Sequence, residues 1–201
     1  AAADTTKAAA VVGDVAKAPE PKGPSGTGTG GKVTGSNKLN KKNLPCFKKN
    51  KKGDPQEYDR QLKGQQDGLN NMTAKEYLDG RAAYTGNRAS TTAERKRYET
   101  KLSKSYFDSG AAKTKTEAQK MAADKMKTLN ALHNPDMYAG GKDVIADFGD
   151  AGVNKSIGSQ WNKTPDGEKM TRIEMLDKEA KEAIANGNGD HKMNADMHRC
   201  P

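Results

Sequence analysis

Apolar residues along this chain fall in short helical stripes, and the polar turns between them carry helix start signals. Pro55 opens a segment that runs to about Leu69 and is ended by Asn70 and Asn71. Thr73 to Glu76 (TAKE) is a capping box, in which hydroxyl and carboxylate each satisfy a backbone N–H left open at a helix start. It predicts a short helix carrying Tyr77, Leu78 and Tyr84. Thr91 to Glu94 repeats the device before a longer helix with Tyr98, Leu102, Tyr106 and Phe107, stopped at Ser109-Gly110. A third box, Thr114 to Glu117, precedes the most regular stripe. There Ala118, Met121, Ala122, Met126, Leu129 and Leu132 share one face, which predicts a single helix reaching His133. A last helix is predicted from Thr164-Pro165 through Met170, Ile173, Leu176, Ala180 and Ile184 to Asn186-Gly187. Residues 188–201 read as a loose tail. The pattern predicts an all-α fold, a compact multi-helix domain with long loops.

Composition narrows the choice. Of 201 residues, 32% are apolar, 5% aromatic and 30% charged. Leu, Ile, Val and Phe number only 22, about 11% of the chain, below the roughly 20% at which disorder is suspected in a highly charged sequence. That composition argues against a large β-sandwich, a doubly wound sheet and a Leu-rich coiled coil. No run of ~18 apolar residues exists, so no membrane-spanning segment is expected. The chain starts at Ala1 without a signal-peptide pattern, as expected of a piece of something longer.

Location changes the meaning of the net charge of +9. Residues 1–54 hold 11 Lys against 4 acids, whereas the remainder holds 24 basic and 22 acidic residues. The basicity therefore belongs to the N-terminal part, and two parts are expected: a flexible Lys/Gly-rich leader over 1–42 and a helical domain over 43–201. A basic arm gains affinity for nucleic acid by releasing counterions, and it equally serves as a solvated linker. Gly26 to Lys32 (GTGTGGK) imitates a phosphate-binding loop, but Val33 stands where the magnesium-binding hydroxyl belongs, so it reads as linker. Cys46 and Cys200 bracket the domain. They are too few for a zinc site, and one bridge between the ends and two free thiols both remain open.

Chemistry concentrates around His133. His191 and His198 lie in the Gly/Asn/Asp-rich tail and read as solvated, whereas His133 ends the Met/Leu stripe and is followed by Asn134, Pro135 and Asp136. Pro135 disfavours helical geometry at Asn134, so the chain should turn immediately after the imidazole. That turn would bring His133 and Asp136 to one substrate or metal. The spacing alone equally describes a core-edge His beside an Asn-Pro turn whose Asp caps the next element. Downstream, Gly140-Gly141 permits close backbone approach, and acids follow at Asp143, Asp147 and Asp150. Carboxylates near an imidazole suit Mg²⁺ or another hard divalent cation. Asp136, Asp147 and Asp150 are the candidate ligands. The polar stretch from Val153 to Trp161 reads as a loop lining a site, with Asn154, Ser156 and Gln160 as candidate phosphate contacts. Arg81 and Arg88 are candidates for holding a DNA backbone, although surface solvation explains them as well.

Four stretches together carry a resemblance: LPCF (44–47), QLKGQQDGLNNMTAKEYL (61–78), LHNPDMYAGG (132–141) and VNKSIGSQW (153–161). They resemble the polymorphic toxin type 15 domain over roughly residues 43–200. That family carries an HxxD motif and includes the Tde-type DNase effectors of bacterial type VI secretion. The resemblance implies an all-α fold and DNA hydrolysis in a rival cell; dependence on Mg²⁺ or another divalent cation is expected from the chemistry of carboxylates beside an imidazole. It also implies a cognate immunity protein and delivery by a specialised secretion system, or a fused delivery region, into the target-cell cytoplasm. By position, it maps the essential His and Asp onto His133 and Asp136. Chemically, an imidazole can take the proton of the attacking water, and a carboxylate can hold Mg²⁺ at the phosphate or orient the His. Two other classes compete. One is a non-enzymatic nucleic-acid-binding module that uses the basic leader. The other is a hydrolase that applies the same pair to RNA, a nucleotide or a lipid.

Overall fold

The structure, a computed structural model, describes residues 37–201. Residues 1–36 of the expected 1–42 leader, with the Gly26–Lys32 stretch, lie outside the described residues. Asp54 starts the first helix, α1 (Pro55–Asn70), by accepting the N–H groups of Gln56 and Glu57. Thr73 and Glu76 complete their capping box at the head of α2 (Ala74–Ala83). Next, α3 (Thr92–Asp108) and α4 (Lys115–Met126) pack on each other. An antiparallel hairpin follows, β2 (Leu129–Leu132) against β3 (Asp147–Asp150), with Leu129 opposite Asp150 and Leu132 opposite Asp147. The chain then forms α5 (Ala151–Gly158) and α6 (Arg172–Ala185). Strands β1 (Lys42–Asn43) and β4 (Ala195–Asp196) pair in parallel.

The fold is therefore mostly helical but not all-α. Helix α4 stops at Met126, and the last two members of its stripe, Leu129 and Leu132, are the buried ends of β2. Residues 151–158, expected as loop, are helix α5, begun by Asp150, which accepts the Val153 N–H. The last helix begins at Arg172 and not at Thr164, because Thr171 and Glu174 form the capping box there. Thr91 makes no side-chain cap. Thr114 caps α4 by accepting the Glu117 N–H, but the Glu117 carboxylate accepts from the Lys113 amide and not from that of Thr114. Among the described residues no helix is long and apolar enough to cross a membrane.

The tail is not loose. Lys38 already pairs with Lys192, Phe47 pairs with Arg199, and Met193, Ala195 and Met197 point inward at alternate positions. Cys46 and Cys200 close this seam as a disulfide. It ties residues 154 apart in sequence, a span for which chain-entropy arguments give about 2–5 kcal/mol of stability. Reduction should therefore lower the melting temperature on the order of 10 °C, and a thermal melt with and without reductant measures it.

Two apolar clusters result. The larger joins Tyr58, Leu62 and Leu69 of α1 to Tyr77, Ile157, Trp161 and Leu176. There Phe47 meets Trp161 edge to face at 5.3 Å, worth about 0.5–1.5 kcal/mol beyond burial. The smaller cluster, Leu102, Ala122, Met126, Leu129 and Phe148, seats the hairpin on α3 and α4. Helix α1 bridges the two, and its second face is polar: Glu57, Arg60, Gln61, Gly64, Gln65 and Gly68 recur at helical spacing. Glu57 accepts from Gln61, Arg60 and the Asp150 amide, while Arg60 reaches the Phe148 carbonyl and Asp147. Burial pushes the Glu57 carboxyl up, but these donors outweigh it and hold Glu57 below its ordinary value. This face fixes where the end of the hairpin sits, and His133 is the next residue.

Candidate catalytic site at the HNPD turn

His133 leaves β2 directly into the Asn134-Pro135-Asp136 turn, so a hydrogen-bonded strand holds its backbone on one side. On the other side the turn is held by Gln65. Its Nε2 donates to the His133 carbonyl at 3.0 Å, and its Oε1 accepts from the Asp136 N–H at 2.5 Å. One side chain, only 4% exposed, thus fixes both ends of the motif. Glycine lets α1 come this close. A Cβ at Gly68 would lie 2.3 Å from the Asn134 carbonyl, and one at Gly64 would lie 2.6 Å from the Asn134 amide. Replacing Gln65 with leucine should leave the His133 carbonyl and Asp136 N–H unpaired, at a cost on the order of 1–3 kcal/mol for each. Denaturant unfolding measures that loss.

The His133 ring is 5% exposed, and its Nε2 lies 3.0 Å from Oδ1 of Asp143. The second oxygen of Asp143 accepts from the Ala89 N–H at 2.5 Å. The Ala89 amide, and then His133, hold the Asp143 carboxyl below the ordinary aspartate value, with Arg88 adding charge. An ionised carboxylate only accepts, so the neutral ring carries its proton on Nε2, and Nδ1 is left as the bare lone pair. Nδ1 has no hydrogen-bond partner among the described residues.

Asp136 is placed differently. Its Oδ1 accepts from the Tyr138 N–H at 2.9 Å and starts a single 3-10 turn, Met137–Ala139. Its Oδ2 has no hydrogen-bond partner among the described residues and lies 3.7 Å from where a Cβ of Gly158 would stand, at the end of α5. The role of orienting His133, considered for Asp136, falls to Asp143. The double glycine is required by sterics: Gly140 has φ +82°, and a Cβ at Gly141 would lie 1.9 Å from the Pro135 carbonyl oxygen.

Other candidates are distributed around this centre. Asp147 sits opposite Leu132, beside the turn, but is paired with Arg60. Asp150 is at the far end of the ladder and caps α5. Asn154 shares a face of α5 with Gly158, four residues on, and so lies on the side nearest Asp136. Ser156 is on the same helix, half-buried. Gln160 exchanges hydrogen bonds with the Lys48 backbone. Arg81 pairs with Asp177, bonds the Tyr138 carbonyl and stacks 4.7 Å from the Tyr138 ring, tying α2 and α6 to the turn. Arg88 is exposed beside the Asp143 loop. Sequence reasoning missed Gln65 altogether and gave Asp143 no role. A Gln at the spacing of Gly64 and Gly68 on the polar face of α1 was the available signal.

Among the described residues no three His, Cys, Asp or Glu side chains converge as a ready-made metal cage. A Mg²⁺ ion needs none, since it keeps several waters and takes one or two carboxylates together with substrate phosphates. The free Oδ2 of Asp136 fits that description.

The site's geometry meets one comparison. A family model, Novel toxin 15, matches residues 52–200, which contain Gln65, His133, Asp136 and Asp143. No curated protein matches the chain. The matched span is most of the sequence and carries the family whose motifs the chain resembles. The chain belongs to the Novel toxin 15 family.

Proposed function

We propose that this toxin domain hydrolyses phosphodiester bonds of DNA in a target cell, with His133 as general base. The observation that carries the reading is the His133–Asp143 pair on a turn clamped by Gln65. Asp143 holds the Nε2 proton, and Nδ1 takes a proton from water as the water oxygen bonds to phosphorus. The bond to the leaving sugar oxygen breaks, and the electron pair departs with that oxygen. Ala89 and Arg88 keep Asp143 charged, which stabilises the imidazolium that forms. Asp136, with Asn154 on the same face of α5 as Gly158, would hold Mg²⁺ or a like divalent cation. When bound, that ion supplies charge relief on the phosphate oxygens. Asp147 and Asp150 are secondary candidates as ligands, weaker for being engaged elsewhere.

DNA is chemically the same in attacker and target. A DNase effector accordingly needs a cognate immunity protein in its producer, and delivery by a secretion apparatus into the target cytoplasm. Both are proposed here on membership of a toxin family.

A substrate panel tests the reading. The full chain is incubated with plasmid DNA, RNA, nucleotides and lipid vesicles, each with Mg²⁺ and with chelator. Cleavage of the plasmid alone, in Mg²⁺ alone, is expected. Turnover of RNA, nucleotide or lipid with intact plasmid would replace DNA as the substrate. No turnover in any lane would leave the binding-module reading.

A further inference from the structure

The motif KKNKK (48–52) has no part in the site described so far. Two of its lysines are engaged: Lys48 pairs with Asp166, and Lys49 donates to the Asn50 and Gly53 carbonyls. Lys51 and Lys52 are exposed and have no ion-pair partner among the described residues. Their loop is nonetheless built and held. The Asn50 N–H donates to the hydroxyl of buried Tyr58, the Asn50 Oδ1 accepts from Gly53, and the Asn50 Nδ2 donates to the Gly152 carbonyl. Here the loop borders a surface hollow of about 540 Å³ with Thr128, Asp150 and Gly152. Asp150, the acid among these, is engaged as the cap of α5.

We infer that this hollow binds the sugar-phosphate backbone of duplex DNA through Lys51 and Lys52, a contact separate from the catalytic turn. The inference rests on the nuclease reading for its ligand, but it is tested by binding. Exposed lysines on a hydrogen-bonded loop, with no ion-pair partner among the described residues, suit a polyanion, because each phosphate neutralised releases condensed counterions. The position is also apt. The hollow adjoins Thr128 at one end of β2, and His133 follows the other end, five residue steps away. At ~3.4 Å a step that is about 17 Å along the ladder, the rise of about five base pairs. A duplex lying along the hairpin would meet both.

The test measures duplex binding by the full chain over a series of salt concentrations, in a His133→Gln background so that no strand is cut. Lys51→Ala/Lys52→Ala is compared with the unmodified pair, and Lys178→Ala/Lys181→Ala on α6 serves as control. Loss of two phosphate contacts should lower the slope of log K against log salt by about 1.8 and weaken binding roughly 10- to 60-fold at 0.1 M salt. The control should move neither, and the loss should be the same for unrelated duplex sequences. An unchanged slope, an equal fall in the control, or no duplex binding at all would overturn the inference. The nuclease reading fails separately, if wild type binds DNA with this slope yet leaves plasmid uncut.

Discussion

His133→Gln should reduce plasmid cleavage by about 10²–10⁴-fold, the contribution of a positioned general base, while leaving helicity and melting temperature close to wild type. Glutamine is the informative replacement because its amide can still donate to Asp143, so the buried partner is not orphaned. It has no basic nitrogen, so only the proton transfer is removed. Alanine should abolish activity equally but adds a cavity beside the hairpin. Asp143→Asn should fall by about tenfold to 10⁴-fold, because an amide can donate to the ring and so favours the tautomer with its proton on Nδ1. Steady-state rates on supercoiled plasmid, after matching circular dichroism, measure all three. Activity in His133→Gln equal to wild type would remove the imidazole from the mechanism.

Gly68→Ala should be the most damaging conservative change outside the site. In an exposed helix interior Ala is about 1 kcal/mol better than Gly. Here the new Cβ would sit 2.3 Å from the Asn134 carbonyl carbon and oxygen. Backbone lies on both sides, so neither α1 nor the turn can yield by rotating a side chain. A net loss on the order of 1–3 kcal/mol is expected, several degrees of melting temperature, with catalysis lost as the turn is displaced. Gly158→Ala is the contrast: it is helical too, but its nearest neighbour is Asp136 Oδ2 at 3.7 Å, an ordinary contact. Its stability should hold or rise slightly. If Gly68→Ala melted like wild type, the close seating of the turn on α1 would be wrong.

How far the sequence could be read depended on whether a signal was local. Pro55 after Asp54 and the Thr73 to Glu76 box name their helix starts within four residues, and both appear as expected. The Leu129–Leu132 strand was read as helix because its leucines continue the α4 stripe, and only pairing with Asp147–Asp150 makes it a strand. Pro165 drew the start of the last helix upstream of the Thr171 to Glu174 box, where hydrogen bonding places it. The tail looked loose for its Gly and Asn, although Met193, Ala195 and Met197 alternate; their partners lie some 150 residues earlier. Within the site, the HNPD turn was legible because proline constrains its neighbour. Which of three acids meets His133 was not, since Asp143 is selected by the Ala89 amide arriving from the α2–α3 connection. Gln65 was missed for a related reason: apolar periodicity finds the core face of α1, and the Gln/Gly pattern of its polar face was not followed.

Digestion of supercoiled plasmid by wild type and His133→Gln side by side, each with Mg²⁺ and with chelator, tests the central claim most directly. Loss of the supercoiled form with wild type in Mg²⁺ and in no other lane is the expected result. Intact plasmid in all four lanes, with both proteins folded, would contradict it.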